Sequence, residues 1–119
     1  MKFENTGVDN KKADLNQLDD LMLANKLVRE GQWDYERVTY DRKFDLKEGI
    51  FYLRVFGTAV EGDVGTNKAV IQLKTPVLGK YYYPHGVEYG EDEVFPKSLV
   101  SQCEKILSTI SEELSKFAK

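Results

Sequence analysis

The residues whose chemistry stands out most lie in one short stretch near the end of the chain. Residues 81–93 hold the only histidine, four of the seven tyrosines and four acidic side chains. Tyrosine hydroxyls and an imidazole can orient a polar ligand, and the candidate binding residues of this stretch are Tyr82, Tyr83, His85, Glu88 and Tyr89. The alternative is a structured loop with a solvated acidic tip, and the sequence leaves both interpretations open.

His85 is also a candidate general base, because imidazole titrates near neutral pH and Glu88 is a candidate partner to orient it. Nucleophilic catalysis also needs a nucleophile beside the base. The single cysteine, Cys103, falls on the apolar stripe of a predicted helix, where a buried thiol is inert. The sequence therefore leans away from an enzyme, and it indicates no catalytic residue.

Metal and phosphate sites are not indicated. One cysteine and one histidine cannot supply a structural zinc site, and the acids of residues 88–93 do not follow the spacing of a twelve-residue calcium loop. Gly62 and Gly65 precede a predicted strand, whereas the glycines of a phosphate-binding Walker loop precede a helix. We expect no cofactor and no metal ion.

Two arginines are further binding candidates because each interrupts an apolar strand face. A charge on such a face must find a partner. For Arg42 and Arg54 that partner is either an internal carboxylate, such as Asp41 or Glu61, or an anionic group of a ligand.

Hydrophobic periodicity predicts two helices that position these residues. Apolar residues recur at steps of three and four after Asp14, which predicts a helix over residues 14–30. Asp14 is the expected N-cap and Gly31 the expected C-cap. The same spacing predicts a longer C-terminal helix over residues 96–117, with Pro96 suited to its first turn.

Alternation with a period of two predicts a sheet between these helices. The short connections between successive strands imply an antiparallel meander. The predicted strands span residues 36–46, 50–59 and 68–75, and a long ordered loop is expected over residues 79–96. The expected fold is therefore a single α+β domain, residues 1–119, in which a three- to four-stranded antiparallel sheet meander is flanked by an N-terminal and a longer C-terminal helix.

The second predicted strand carries aromatic side chains on both faces, so a face that the helices leave uncovered would expose an apolar patch. Such patches mark protein–protein contacts. The candidate interface residues are Trp33, Tyr40, Tyr52 and Phe56, and they favour a homodimer.

Composition excludes several classes of protein. The chain has 119 residues, 41% of them hydrophobic, which is enough for one domain with its own core. The net charge of −3 and the lack of a Lys/Arg cluster argue against nucleic-acid binding. No apolar run reaches the roughly 20 residues of a membrane span, and the polar start and single cysteine favour a cytoplasmic protein with no membrane partner.

Six segments of the chain resemble the YugN-like family of small bacillar proteins: Gln32–Glu36, Asp41–Phe44, Tyr52–Val55, Val60–Asp63, Thr75–Lys80 and Tyr82–Gly90. The resemblance covers nearly the whole chain, and the Tyr-Tyr-Pro-His-Gly-Val-Glu-Tyr-Gly string is its most specific part. It implies a cytosolic bacterial protein with one α+β domain. It implies no activity, substrate or catalytic residue set.

Two functional hypotheses follow from these observations. The leading one is a non-enzymatic binding or regulatory module that works as a homodimer. The alternative is a small-ligand receptor or an enzyme with its site in residues 81–93.

Overall fold

Two helices pack on one face of an antiparallel sheet in the computed structural model, which describes residues 1–30, 34–90 and 93–119. The sheet has seven strands within these residues. In chain order the elements are β1 (Lys12–Asp14), α1 (Leu15–Ala24), β2 (Val28–Arg29), β3 (Arg37–Leu46), β4 (Gly49–Asp63), a 3₁₀ turn (Val64–Thr66), β5 (Lys68–Leu73), β6 (Val77–Tyr82), β7 (Gly86–Glu88) and α2 (Lys97–Leu114).

The long strand β4 organises the sheet. One edge of β4 pairs with β3, and the other edge pairs first with β6 and then with β5. Pro76 lies between these two partners and has no backbone N–H to give to a ladder. The shorter strands extend the sheet outward, with β1 on β5, β2 on β3 and β7 on β6.

Burial alternates along β4 and gives the sheet two different faces. Phe51, Leu53 and Val55 are fully buried, whereas Tyr52, Arg54 and Phe56 between and beside them are half-buried. The first set joins the core with the buried side of α2, which consists of Leu99, Cys103, Leu107, Ile110 and Leu114. We call the opposite side, on which Tyr52, Arg54 and Phe56 lie, the open face.

The prediction of two helices is confirmed, but the N-terminal one is shorter than predicted. α1 ends at Ala24, and Lys26 adopts a left-handed conformation with φ of 65°. Val28, which the helical spacing had included, lies instead in β2 with a side chain that is 54% exposed. Gly31, the predicted C-cap, lies outside the described residues. Asp14 occupies the N-cap position without a side-chain capping bond, because its carboxylate pairs with Lys119 Nζ at 2.9 Å.

The fold is α+β as predicted, but the predicted sheet of three to four strands was an undercount, because the sheet has seven strands within the described residues. The three predicted strands form the expected antiparallel meander as β3, β4 and β5. The predicted loop over residues 79–96 is largely a hairpin, since β6 and β7 pair there. The four strands that the sequence did not predict are β1, β2, β6 and β7. β1, β2 and β7 are short and β6 carries tyrosines on both faces, so none of them shows apolar residues at a period of two. No helix within the described residues is long and apolar enough to cross a membrane.

Gly57 of β4 provides a test of the covered face. A Cβ at this position would overlap Cγ2 of Ile71 and lie 3.1 Å from Cγ2 of Val38. We expect Gly57→Ala to lower the free energy of unfolding by about 1–3 kcal/mol through overpacking. Urea denaturation measures this, with Thr58→Ala on the open face as a control that costs less than about 1 kcal/mol. Equal losses for the two variants would contradict the packing described here.

Candidate functional site

Three polar side chains form a connected chain across the open face. Asp41 and Arg54 are direct cross-strand partners in β3 and β4. Arg54 Nε donates to Asp41 Oδ1 at 2.8 Å, and Arg54 Nη1 donates to Tyr89 Oη at 2.6 Å. The Asp41 side chain is only 5% exposed and that of Arg54 is 26% exposed. The pair is therefore largely removed from water and depends on these hydrogen bonds for compensation.

Tyr89 reaches Arg54 because Gly79 has no side chain. The β6–β7 register places residue 89, just after β7, opposite residue 79. A Cβ at Gly79 would lie 2.7 Å from the Tyr89 ring and overlap Cγ1 of Val87. Gly79 is also the cross-strand partner of Tyr52 in β4. The missing Cβ thus lets the Tyr89 ring lie over β6 and extend to β4.

A recess of about 290 Å³ opens beside this chain of hydrogen bonds. Its polar lining includes the buried carboxylate of Asp41, and its apolar lining consists of aromatic rings. The Arg54 guanidinium carbon lies 5.3 Å from the centre of the Tyr52 ring, within cation–π range. The full lining is Glu30, Thr39, Asp41, Tyr52, Arg54 and Phe56.

A second cavity of about 380 Å³ adjoins the recess and shares Glu30, Thr39 and Phe56 with it. The second cavity adds three cationic side chains, Arg29, Arg37 and Lys74, and the carboxylate of Asp34. We call the two cavities together the open-face groove. The groove combines charges of both signs with an aromatic floor, which suits a polar organic molecule rather than a purely apolar one.

Burial decides the direction of the pKa shift of Asp41 but not that of Arg54. It raises the pKa of Asp41 above the ordinary aspartate value, although the hydrogen bond and charge of Arg54 act in the opposite direction. The nearby carboxylate of Glu30 raises that pKa further. Burial lowers the pKa of Arg54, but its hydrogen bonds to Asp41 and Tyr89 outweigh burial and leave that pKa raised. Arg54 therefore stays protonated, while the carboxyl of Asp41 has a pKa above its ordinary value.

The structure places the candidate binding residues of the stretch 81–93 at different sites. Tyr89 joins Arg54 on the open face. Tyr82 Oη instead donates to Glu93 Oε2 at 2.5 Å. Tyr83, His85 and Glu88 are exposed on the β6–β7 hairpin and do not line the groove. Two acids of this stretch, Glu91 and Asp92, lie outside the described residues.

Arg42 does not share a face with Arg54. Arg42 is the cross-strand partner of Leu53, so it points to the helix-covered face. Its Nη1 donates to the carbonyl oxygen of Asn25 at 3.2 Å, and its guanidinium carbon lies 4.9 Å from the centre of the Phe44 ring. Arg42 therefore binds the C-terminal end of α1, where a cation is favourable.

The candidate interface residues also lie on different faces of the sheet. Tyr40 is fully buried beneath α1, and its Oη donates to Asp19 Oδ1 at 2.6 Å. Tyr40 is therefore absent from the surface, and the prediction that placed it in an exposed patch is wrong. Tyr52 and Phe56 do lie half-buried on the open face. Trp33 lies outside the described residues.

Cys103 has the environment expected of a structural thiol. It is fully buried in α2, and burial raises its pKa to about 12. A thiol with this pKa is protonated at neutral pH and is a poor nucleophile. No group of three or more side chains that could hold a metal ion occurs within the described part of the chain.

Sequence reasoning named Arg54 and Tyr89 but missed Glu30, Thr39 and Gly79. One available signal was the hairpin between β3 and β4. Asp41 lies six residues before Lys47, and Arg54 lies six residues after Glu48. A two-residue turn at positions 47–48 therefore pairs Asp41 with Arg54 directly. The Tyr89 contact had no such signal, because it requires the β6–β7 pairing.

Comparison with known proteins gives consistent similarities over the whole chain. The profile of the YugN-like family matches residues 4–114. The uncharacterized protein YlbA of Bacillus subtilis (strain 168) is 56% identical over 114 residues, which are 96% of this chain and 95% of that protein. The uncharacterized protein YugN of the same organism is 25% identical over 83 residues, which are 70% of this chain and 62% of that protein.

A solved structure shares the fold. The crystal structure of the uncharacterized conserved protein YugN from Geobacillus kaustophilus HTA426 is 56% identical in sequence and superposes with a TM-score of 0.85. The match covers 98% of this chain and 96% of that chain.

Titration of Asp41 tests the geometry of the recess. We expect its carboxyl pKa, followed by carbon-detected NMR, to lie above the ordinary aspartate value. Glu30→Gln should lower this pKa, because a neighbouring negative charge is removed, and Arg54→Met should raise it. Glu36→Gln, on an exposed side chain, is the matched control and should leave it unchanged.

The sign of the effect on stability follows from the raised pKa. A carboxyl group with a higher pKa in the folded state binds its proton more tightly there than in the unfolded chain. Its contribution to stability is complete below the unfolded pKa and is lost as the pH rises through the folded pKa. The stability of the wild type relative to Asp41→Asn should therefore fall with rising pH in that window, and a difference that grows would contradict the raised pKa.

Proposed function

The chain belongs to the YugN-like family, and from that premise we propose that it is a non-enzymatic binding protein whose ligand is a small polar molecule held in the open-face groove. The observation that carries the proposal is the buried Asp41–Arg54 pair beside the recess. Replacing a buried ion pair with apolar side chains is often neutral or stabilising. A pair with one member buried and the other half-buried at the wall of an accessible recess is therefore better explained by recognition than by stability.

The unused hydrogen-bonding capacity of Arg54 supports the same proposal. A guanidinium has five N–H donors. Within the described residues, Arg54 directs one donor to Asp41 and one to Tyr89. Because both contacts fix the guanidinium in place, the remaining donors are preorganised, and a ligand that accepts hydrogen bonds loses less entropy on binding.

A binding role is favoured over catalysis by the positions of the two residues best suited to nucleophilic chemistry. Cys103 is a buried thiol with a raised pKa, and His85 is exposed on the hairpin away from the groove lining. The proposal also includes a cytosolic location, which the single free cysteine supports.

A second candidate function is self-association through the same face. The observation that favours it is the half-buried state of Ile50, Tyr52 and Phe56, which alternate along β4 on the open face. Two copies packed face to face would cover these side chains. The charged pair at the middle of the face makes this the weaker candidate, because the centres of stable interfaces are depleted of charged residues.

Amide chemical shifts in a screen of small polar fragments test the binding proposal. We expect fragments to perturb the amides of β3 and β4 that border the recess. Thr39→Trp should fill the recess and abolish these perturbations, whereas Ser108→Trp, at an exposed position of α2, should leave them unchanged. Perturbations confined to other surfaces, or none at all, would remove the open-face groove as the binding site.

Light scattering tests the second candidate. A homodimer has twice the 13.7 kDa mass of one chain. If the open face is its interface, Phe56→Glu should return the monomer mass, because it places a charge in the buried contact. Leu23→Glu, on α1 at the other side of the sheet and with a side chain that is already 62% exposed, should keep the dimer mass. A monomer mass for the wild type at tens of micromolar would rule this candidate out.

A further inference from the structure

One side chain from each of four neighbouring chain segments forms a row across the open-face groove. The Glu30 N–H donates to the Thr39 carbonyl oxygen at 2.8 Å, so these two residues are neighbours. Thr39 pairs with Phe56, and the Lys74 N–H donates to the Phe56 carbonyl oxygen at 2.9 Å. The row therefore runs from a carboxylate, past a hydroxyl and an aromatic ring, to an ammonium group.

The two ends of this row carry the only charges of the groove lining, within the described residues, that have no ion pair inside 4.0 Å. The other charged side chains are paired. Arg29 pairs with Asp19 at 3.4 Å, Arg37 with Asp34 at 3.7 Å and Arg54 with Asp41 at 2.8 Å. Glu30 and Lys74 are left as one negative and one positive group at opposite ends of the row.

The charge at the negative end is that of Glu30, because Arg54 compensates the neighbouring carboxylate of Asp41. Asp41 lies close enough to Glu30 for the two carboxylates to interact, and Arg54 contacts one oxygen of Asp41. The potential at this end therefore favours a cation. At the other end the Lys74 ammonium favours an anion, and between them the ring of Phe56 offers an apolar surface.

The span between the two ends defines the length of a complementary molecule. Neighbouring strands are ~4.8 Å apart, so three spacings separate the backbones of Glu30 and Lys74 by about 14 Å. Glu30 and Lys74 lie on the same face, so their charged groups are this far apart when the two side chains extend in parallel, and each ion pair takes up roughly 3 Å of that distance. The remaining length is too long for an α-amino acid and matches a chain of several methylenes between the two charged groups.

We propose that the open-face groove binds an elongated zwitterion, with its ammonium group at Glu30, its carboxylate at Lys74 and its apolar middle over Phe56. The inference rests on the proposed function and names the ligand class for the same site. A simple anion would be repelled at Glu30 and a simple cation at Lys74. Only a molecule that carries both charges at this separation compensates both side chains.

Three probes of equal chain length test the inference: ε-aminohexanoate, hexylamine and hexanoate. Their affinities are measured by NMR titration of the full chain, from shifts of groove amides. Exposed ion pairs contribute up to about a fivefold gain each. We expect ε-aminohexanoate to bind about fivefold more tightly than either singly charged probe.

Two variants assign the preference to the two side chains. Glu30→Gln should abolish the advantage of ε-aminohexanoate over hexanoate, and Lys74→Gln should abolish its advantage over hexylamine. Glu48→Gln and Lys47→Gln make the same changes at the exposed β3–β4 turn, and they should leave both preferences intact.

The outcomes separate this inference from the proposed function. The proposal of a zwitterionic ligand is overturned by any of three results. These are equal affinity for the three probes, a preference that survives both groove variants, and no binding of any probe. If polar fragments still perturb the groove amides in those cases, the groove remains a binding site for a different ligand class. If neither probes nor fragments perturb these amides, the proposed function fails as well.

Discussion

The rest of the structure depends on the register of β4. Because successive side chains of a strand point to opposite faces, the register that buries Leu53 also fixes Arg54 on the open face. A slip of one residue would move the guanidinium into the core and three core side chains into water. Hydrophobic burial under α1 and α2 therefore holds the charged pair of Arg54 and Asp41 in place. The stability of the covered face and the geometry of the open face have the same physical origin.

The parts of the fold that the sequence predicts are the parts with long periodic patterns. α2 and the strands β3, β4 and β5 carry enough repeats for the period to be recognised, and each was located to within a few residues, except for the C-terminal end of β4. β1, β2 and β7 have two or three residues each, too few to display a period. The end of α1 was misjudged because Val28 was counted with the helical spacing, although α1 ends at Ala24 and Val28 lies in β2. In both cases tertiary pairing, rather than local pattern, decides the structure.

The candidate site likewise has parts that the sequence could predict and parts that depend on tertiary pairing. The pairing of Asp41 with Arg54 was accessible from the symmetry of the β3–β4 hairpin. The position of Arg42 on the other face was also accessible, because Arg42 has the same parity in β3 as the buried Val38, Tyr40 and Phe44. The contribution of Tyr89 was not, since its ring contacts β4 only through the gap at Gly79. Chemistry expected in a loop is thus divided between an exposed hairpin tip and the face of the sheet.

The contact between Tyr89 and Arg54 has a thermodynamic consequence. Tyr89 directly follows the β6–β7 hairpin, whereas Arg54 belongs to the centre of the sheet, and their hydrogen bond joins the two. A group that binds Arg54 and strengthens or weakens this bond changes the free energy with which the hairpin is held to the sheet. By reciprocity, a contact at the hairpin that changes the same bond changes the affinity for that group by an equal free energy. Because Gly79 has no side chain, the Tyr89 hydroxyl can reach Arg54, and this hydrogen bond connects the groove to the surface of the hairpin.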